Sequence, residues 1–229
     1  MSSYRITPLT RLRRKPQRGH YDHATVYAIL DAGVVAHVGY RLGERPVVIP
    51  TAYWRDGGML YWHGSSASRM LETVAGGVPV CVTVTHLDGF VLARSGFHHS
   101  LNYRSVLAFG TAEKVADPLE KLTALERFVE RLWAGRWAEL RPVTDQELKA
   151  TLLLRMPLDE VSAKIRTGAP VDDEADYALP VWAGVLPVHA AMGEPLPDPR
   201  LAPGTPLPAY LGNWDMAAPP VEQAQEAVA

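Results

Sequence analysis

Between residues 34 and 116 the chain alternates short apolar runs with turn residues, in the order VVAHVGY, RPVVIPTAYW, MLYWHG, VPVCVTVTH, GFVLAR and YRSVLAFGTAEKV. Runs of this length, rich in Val, Tyr and Trp and bounded by Gly and Asp, predict six strands. Asp56-Gly57-Gly58 and Asp88-Gly89 carry turn chemistry, so each is expected to join two antiparallel neighbours. Closing such strands into a barrel hides edges that would otherwise pair with other chains. One helix interrupts the series. SSASRMLETVAGG, between the third and fourth runs, starts on serines and stops at Gly76-Gly77.

Helical periodicity returns on either side. Asp22 is an N-cap residue, Val26, Ile29 and Leu30 fall at helical spacing, and Gly33 is expected as a left-handed stop. A basic arm precedes this helix, with Arg11, Arg13, Arg14, Lys15 and Arg18, and is expected to be solvated because no aromatics interleave with its charges. After the strands, Asp117 caps and Pro118 opens a helix whose apolar stripe is Leu119, Leu122, Leu125, Val129 and Leu132. Thr144 and Glu147 stand at capping-box spacing, which predicts a second helix through TDQELKATLLLRM. DEVSAKIRTG is β-like, and an acidic link leads from it to PVWAGVLPVHAA. The expected organisation is one mainly β domain with flanking helices over residues 1–193, and an extended Pro/Ala-rich tail over 194–229.

Composition narrows the class of partner. The 229 residues are 47% hydrophobic, and 23 basic residues against 25 acidic ones leave a net charge of -2, so bulk charge gives no case for nucleic acid or an anionic membrane. The single cysteine, Cys81, lies in an apolar run and has no intrachain partner for a disulfide. No apolar stretch approaches 18 residues and no signal-type core follows the first charges, which fits a cytoplasmic protein.

Two clusters carry chemistry. A strand ending in Gly64 and running through Ser65, Ser66 and Ser68 into a helix presents backbone N–H groups, hydroxyls and the planar fork of Arg69 in one place, a setting for phosphate. The same serines also suit plain helix capping with Arg69 as a surface charge. The second cluster, ARSGFHHSLNYRSV, gathers His98, His99, Asn102, Tyr103, Arg104 and Ser105. Adjacent histidines point to opposite faces of a strand and no carboxylate or cysteine stands at ligand spacing, so no metal site is expected. There is no G-x-S-x-G elbow, G-x-G-x-x-G or Walker A sequence.

The order VVIPTAYW, LYWHGSSASRM, VCVTVTHLDGFVLARSGFHHSLNYRSVLAFGTAEKV and PVWAGVLP resembles the pyridoxamine 5'-phosphate oxidase-related flavoproteins, in particular the nitroimidazole-resistance (Nim-type) branch. The resemblance runs roughly from residue 18 to 187. It implies a split β-barrel that binds FMN at a homodimer interface. It assigns Gly64, Ser65, Ser68 and Arg69 to the phosphate, Pro50 and Thr51 to the isoalloxazine edge, and Asn102, Tyr103, Arg104 and Ser105 to polar contacts near ring or phosphate. His63 matches a histidine near the cofactor, and Trp182 an aromatic reaching the site from the partner subunit. Two departures weigh against pyridoxamine phosphate oxidation: Met70 stands where those oxidases have lysine, and the proline-rich tail has no arginine-histidine segment.

The expected function is therefore FMN-dependent transfer of electrons from a reduced nicotinamide to a small acceptor such as a nitro compound, with His63 or His98 as proton donor. A flavin or haem carrier or sensor without turnover is the alternative. Neither nucleic acid nor membrane is an expected partner.

Overall fold

The computed structural model describes residues 2–213. In chain order its elements are β1 (Gly19–His20), α1 (His23–Asp31), β2 (Val35–Leu42), β3 (Arg45–Asp56), β4 (Met59–Ser65), α2 (Arg69–Ala75), β5 (Pro79–Leu92), β6 (Ser100–Thr111), β7 (Glu113–Lys114), α3 (Pro118–Leu132), α4 (Asp145–Ala150), β8 (Thr151–Pro157), β9 (Glu160–Arg166) and β10 (Gly184–Pro187). All pairings are antiparallel, in the order β1-β9-β6-β5-β2-β3-β4-β8-β7, with β10 added to β5.

The strand that divides this sheet is β3. Residues 45–52 pair with β2, from Leu42↔Arg45 to Val35↔Ala52, whereas residues 53–56 pair with β4, from Tyr53↔Trp62 to Asp56↔Met59. The result is two half-sheets around a shared core, the split β-barrel that the resemblance implies. Inside it lie Val26, Ile29 and Leu30 of α1 with Val38, Trp62, Val82, Val106, Leu154 and Ala163. A smaller core outside the β4/β8 half-sheet joins Trp54, Val115 and Leu153 to Ala124, Leu125 and Phe128 of α3. Alternation builds both: Tyr53 and Trp62 face the main core, while Trp54 faces the small one.

Helix ends follow their capping chemistry. Asp22 accepts from the Thr25 amide at 2.8 Å and Asp117 from the Glu120 amide at 2.7 Å. At α4, Thr144 and Glu147 form the reciprocal capping box. The guanidinium of Arg131 on α3 donates to Leu30 O, Asp31 O and Gly33 O at 3.2, 2.8 and 3.0 Å, tying α3 to the carboxy-terminal end of α1. The basic arm has a fastened backbone: Ser3 bridges Asp22, Tyr4 stacks on His23 at 4.1 Å, and Tyr21 Oη receives Leu12 N at 3.0 Å. Arg11, Arg13, Arg14 and Lys15 are exposed.

Four expectations give way. Asp88-Gly89 is a bulge within one 14-residue strand, because the register shifts there while β10 continues the ladder alongside. The helix at TDQELKATLLLRM ends at Ala150; Leu152, Leu153 and Leu154 are each buried, on alternate faces, which a strand between two cores permits and a one-faced helix does not. Gly33 is not left-handed; a Cβ there would lie 2.9 Å from Tyr53 Oη and 3.0 Å from the His86 ring, so the residue is small for packing. Leu119 is 72% exposed, and the buried positions near the start of α3 are Lys121 and Ala124, with Lys121 Nζ held 3.0 Å from both Leu148 O and Thr151 O. Of the expected tail, residues 194–208 are largely exposed and turn twice, with Leu201 N donating to Asp198 O and Thr205 N to Ala202 O, Tyr210 hydrogen-bonds Glu139 at 2.6 Å, and residues 214–229 lie outside the described residues.

Two outcomes follow for stability. Leu154→Ala, which empties a fully buried position, is expected to lower unfolding free energy by about 2–5 kcal/mol in urea denaturation. The Arg141 guanidinium and the Thr144 amide and hydroxyl hold Glu147 down from its ordinary 4.5 to about 2. The unfolded state then takes up its proton first, so the stabilisation is complete above the ordinary value and fades as pH falls toward 2. Glu147→Gln should flatten the loss of urea midpoint between pH 5 and pH 2, and an unchanged slope would contradict this.

Candidate functional site

The 65–69 corner is built by the end of β4. Gly64 and Ser65 still pair with Leu152 and Thr151 of β8, then Ser66 N donates to Ala150 O at 2.7 Å and Ser68 N to Ser65 O at 2.9 Å. A Cβ at Gly64 would sit 3.0 Å from Leu71 Cδ1, so α2 lies close against the strand there. Ser65 Oγ accepts from Ala67 N at 3.2 Å and Ser68 Oγ from Leu71 N at 3.5 Å, so both serines shape the turn and keep their hydroxyl hydrogens for another acceptor. Glu72 N reaches Ser68 O, leaving the first-turn amides of Arg69 and Met70 without a carbonyl behind them. Among the described residues the Arg69 guanidinium has no hydrogen bond or ion pair, and the side chain is exposed. Met70 is buried in the main core, so this position offers the corner no cation.

The split places the open edge of β3 beside this corner. Continuing the Tyr53↔Trp62 register would set Thr51 opposite Gly64, but β3 pairs only with β2 there. Pro46 and Pro50 remove donors from the open edge, as unpaired edges require. Pro50 and Ala52 are exposed and Val48 is 61% exposed. Pro50 and Thr51 thus stand on the β3 side, and Gly64, Ser65, Ser68 and Arg69 on the β4 and α2 side, of the point where β3 and β4 part.

His63 stands at the same place but turns away from the barrel interior. Its ring lies 5.8 Å from Trp54 and 5.2 Å from Phe128, both edge-on, under α3. Burial lowers its pKa, which keeps the imidazole neutral, and its buried Nδ1 has no hydrogen-bond partner. Trp54 Nε1 in the same cluster is also unpartnered. Two orphaned ring nitrogens in one apolar cluster are costly unless something else meets them.

The remaining expected residues gather elsewhere. α2 precedes β5 and the turn bearing His98 follows it, so the 14 residues of β5, about 45 Å of extended chain, separate α2 from that turn, while Tyr103, Arg104 and Ser105 run back on β6 opposite Leu87, His86 and Thr85 midway along β5. His98 Nε2 lies 3.5 Å from Asp173 Oδ2. Asn102 is buried and donates to Gly168 O at 3.1 Å. Arg104 grips Asp88 through Nε and Nη2 at 2.9 to 3.2 Å, so its charge is balanced within the sheet. Tyr103 is half-buried across from Leu87, and Ser105 Oγ donates to Lys164 O at 3.3 Å. Trp182, 63% exposed, lies over Gly184, where a Cβ would come 2.9 Å from the indole.

Sequence reasoning placed Arg94 in the second cluster but missed the acid that organises this end. Arg94 binds the buried Asp172 through its amide and its guanidinium, each at 3.0 Å, and stacks 4.9 Å from the Tyr177 ring centroid. Burial alone would raise the Asp172 pKa; the hydrogen bonds from Arg94 outweigh it and lower it. Asp172 sits 78 residues from Arg94, in what read as an acidic link, and no local pattern marks such a pair. Among the described residues there is no cluster of three or more His, Cys, Asp or Glu able to hold a metal ion, and no helix is long and apolar enough to cross a membrane.

Comparison with known proteins places this architecture. A family model described as pyridoxamine 5'-phosphate oxidase matches residues 22–165. The flavocytochrome Anf3 from Azotobacter vinelandii is 42% identical, with 92% of this chain and 98% of that one covered and a TM-score of 0.88. A FAD and haem binding protein from Mycobacterium smegmatis is 38% identical, with 86% and 97% covered and a TM-score of 0.83. A 5-nitroimidazole antibiotic resistance protein from Bacteroides thetaiotaomicron shares the fold at 21% identity and a TM-score of 0.52, over 63% of this chain and 84% of that one. No curated protein sequence matches. From the family model and the two relatives of nearly full length, the chain belongs to the pyridoxamine 5'-phosphate oxidase family.

Proposed function

We propose that the protein is a flavin-dependent redox protein that works as a homodimer, taking electrons from a reduced nicotinamide and delivering them to a small acceptor, with nitro compounds among the acceptors to test. The observation that carries this reading is the set of unused donors at 65–69 beside an open, proline-bearing strand edge. A flavin has an apolar tricycle and an anionic tail, and its site needs a flat apolar wall next to concentrated donors. Arg69, the hydroxyls of Ser65 and Ser68 and the first-turn amides of α2 would hold the phosphate. Pro50 and Thr51 would face the ring edge. The bound flavin would supply hydride and single-electron chemistry. FMN is the form that the sequence resemblance favours; the M. smegmatis relative is named for FAD, and the phosphate nearest the ribityl chain is common to both.

The dimer is part of the proposal. His98 and Trp182 lie at the end of β5 remote from α2, so in this reading they reach the flavin from a second chain, whereas Tyr103, Arg104 and Ser105 stand midway along β5. Val35, Val48, Leu87 and Leu107 lie exposed on the sheet and give such a chain an apolar surface to cover. As proton donors, the two histidines differ. A neutral, desolvated His63 is a poor acid at pH 7, whereas His98 beside Asp173 is the better candidate.

A second reading rests on His63. Two relatives are named as a flavocytochrome and as a FAD and haem binding protein, and a neutral imidazole with a free, buried nitrogen in an aromatic cluster is the state that an axial iron ligand requires. Here the group would sit on the α3 side of β4, walled by Trp54 and Phe128, apart from the 65–69 corner.

One experiment separates the readings. Protein reconstituted with FMN, FAD or haemin is followed by absorbance and flavin fluorescence. Arg69→Gln is expected to weaken flavin binding by about 10- to 100-fold, the worth of one charge-assisted contact. His63→Ala should abolish a Soret band and leave flavin binding within a few-fold of wild type. Protein that stays colourless with either flavin defeats the proposal; flavin that binds but is not bleached by NADH or NADPH leaves a carrier.

A further inference from the structure

Buried charge in this fold is compensated almost everywhere. Arg104 has Asp88, Arg94 has Asp172, Lys121 has two carbonyls and Arg131 has three at the end of α1. Arg166 is different. At the end of β9 it is only 7% exposed, yet its partners are neutral: Nη1 donates to Asn102 Oδ1 and, at 3.4 Å, to Gly168 O. Its Nε is buried and unpartnered.

The surroundings deepen the deficit. Burial first, and then repulsion from Arg18, lower the arginine's pKa, while the Tyr103 phenol across the ladder opposes them. β1 carries Gly19 opposite Lys164, so Arg18 and Lys164 flank the same strand end. The acids nearest along the chain and across the sheet are already committed, Asp172 to Arg94 and Asp88 to Arg104, and Glu160 lies at the opposite end of β9, facing Phe109. Arg18 and Arg166 therefore act on one another at this strand end, with Lys164 two residues back along β9, and among the described residues no carboxylate forms an ion pair with any of them. A desolvated guanidinium without a counter-charge is strongly disfavoured, and its planar fork matches a phosphate or carboxylate.

We propose that Arg166, buttressed by Asn102 and joined by Arg18, forms a second oxyanion-binding site, separate within one chain from the 65–69 corner, for the phosphate or carboxylate group of a small-molecule ligand. Asn102 is then a positioning residue: its amide donates to Gly168 O and its oxygen orients the guanidinium. The site would fix the anionic end of a ligand lying along β6, with Tyr103 beside it.

The test is thermal unfolding of the full chain against inorganic pyrophosphate and, separately, citrate, with ionic strength held constant by sodium chloride. It is run on wild type, Arg166→Met, Arg18→Gln and Arg69→Gln. The expected result is a saturable rise in Tm for wild type with at least one anion, retained in Arg69→Gln, shifted to about tenfold higher concentration in Arg18→Gln, and absent in Arg166→Met. Without anion, Arg166→Met should melt no lower than wild type, because it removes an uncompensated charge and keeps the bulk of the side chain. The anion that acts identifies the ligand group. A rise that survives Arg166→Met, or one lost in Arg69→Gln, would overturn the proposal. So would a wild type indifferent to both anions whose dimer dissociates on Arg166→Met, since the missing acid would then belong to a second copy of the chain.

Discussion

The open strand edge beside the 65–69 corner exists because β3 changes neighbours midway. Through residue 52 it has β2 on one side and nothing on the other; from Tyr53 onward it takes β4. What fixes the change is packing. Tyr53 and Trp54 are consecutive, fully buried and directed into different cores, so the strand at that point is held from both faces. β4 is held equally firmly, by β8 along its whole length and by α2 where Gly64 meets Leu71. Neither strand can swing to close the gap without opening a core, and interiors at close packing resist such movement.

The β character of the middle of the chain, the inserted helix and the caps at Asp22, Ser68, Asp117 and Thr144 were all legible, because alternation and capping are local signals. The corner at 65–69 was legible for the same reason. The errors share a cause: each turned on a neighbour remote in sequence. Asp88-Gly89 carries the residues of a turn, yet Arg104 takes the aspartate and β10 packs on the glycine. LLL after Ala150 suits a helix in isolation and becomes a strand only because cores lie on both sides. Gly33 looks like a stop until Tyr53 and His86 crowd it.

Function divides along the same line. Serines and an arginine at a strand-to-helix corner announce themselves in sequence, whereas the state of His63 depends on Trp54 and Phe128, and that of Arg104 on Asp88. An arginine in a sequence is a positive charge; in the fold Arg104 is half of a neutral pair, Arg131 a clamp on carbonyls, and Arg166 a cation without a counter-ion.

The clamp made by Arg131 bears on how anything could come to rest against His63. It binds three carbonyls of the α1 terminus from one side chain on α3, the helix that roofs the imidazole, and so pins that roof to the barrel. With that helix pinned, Phe128 and Trp54 stay packed against the ring, and the apolar setting that holds His63 uncharged is fixed from α1 through α3.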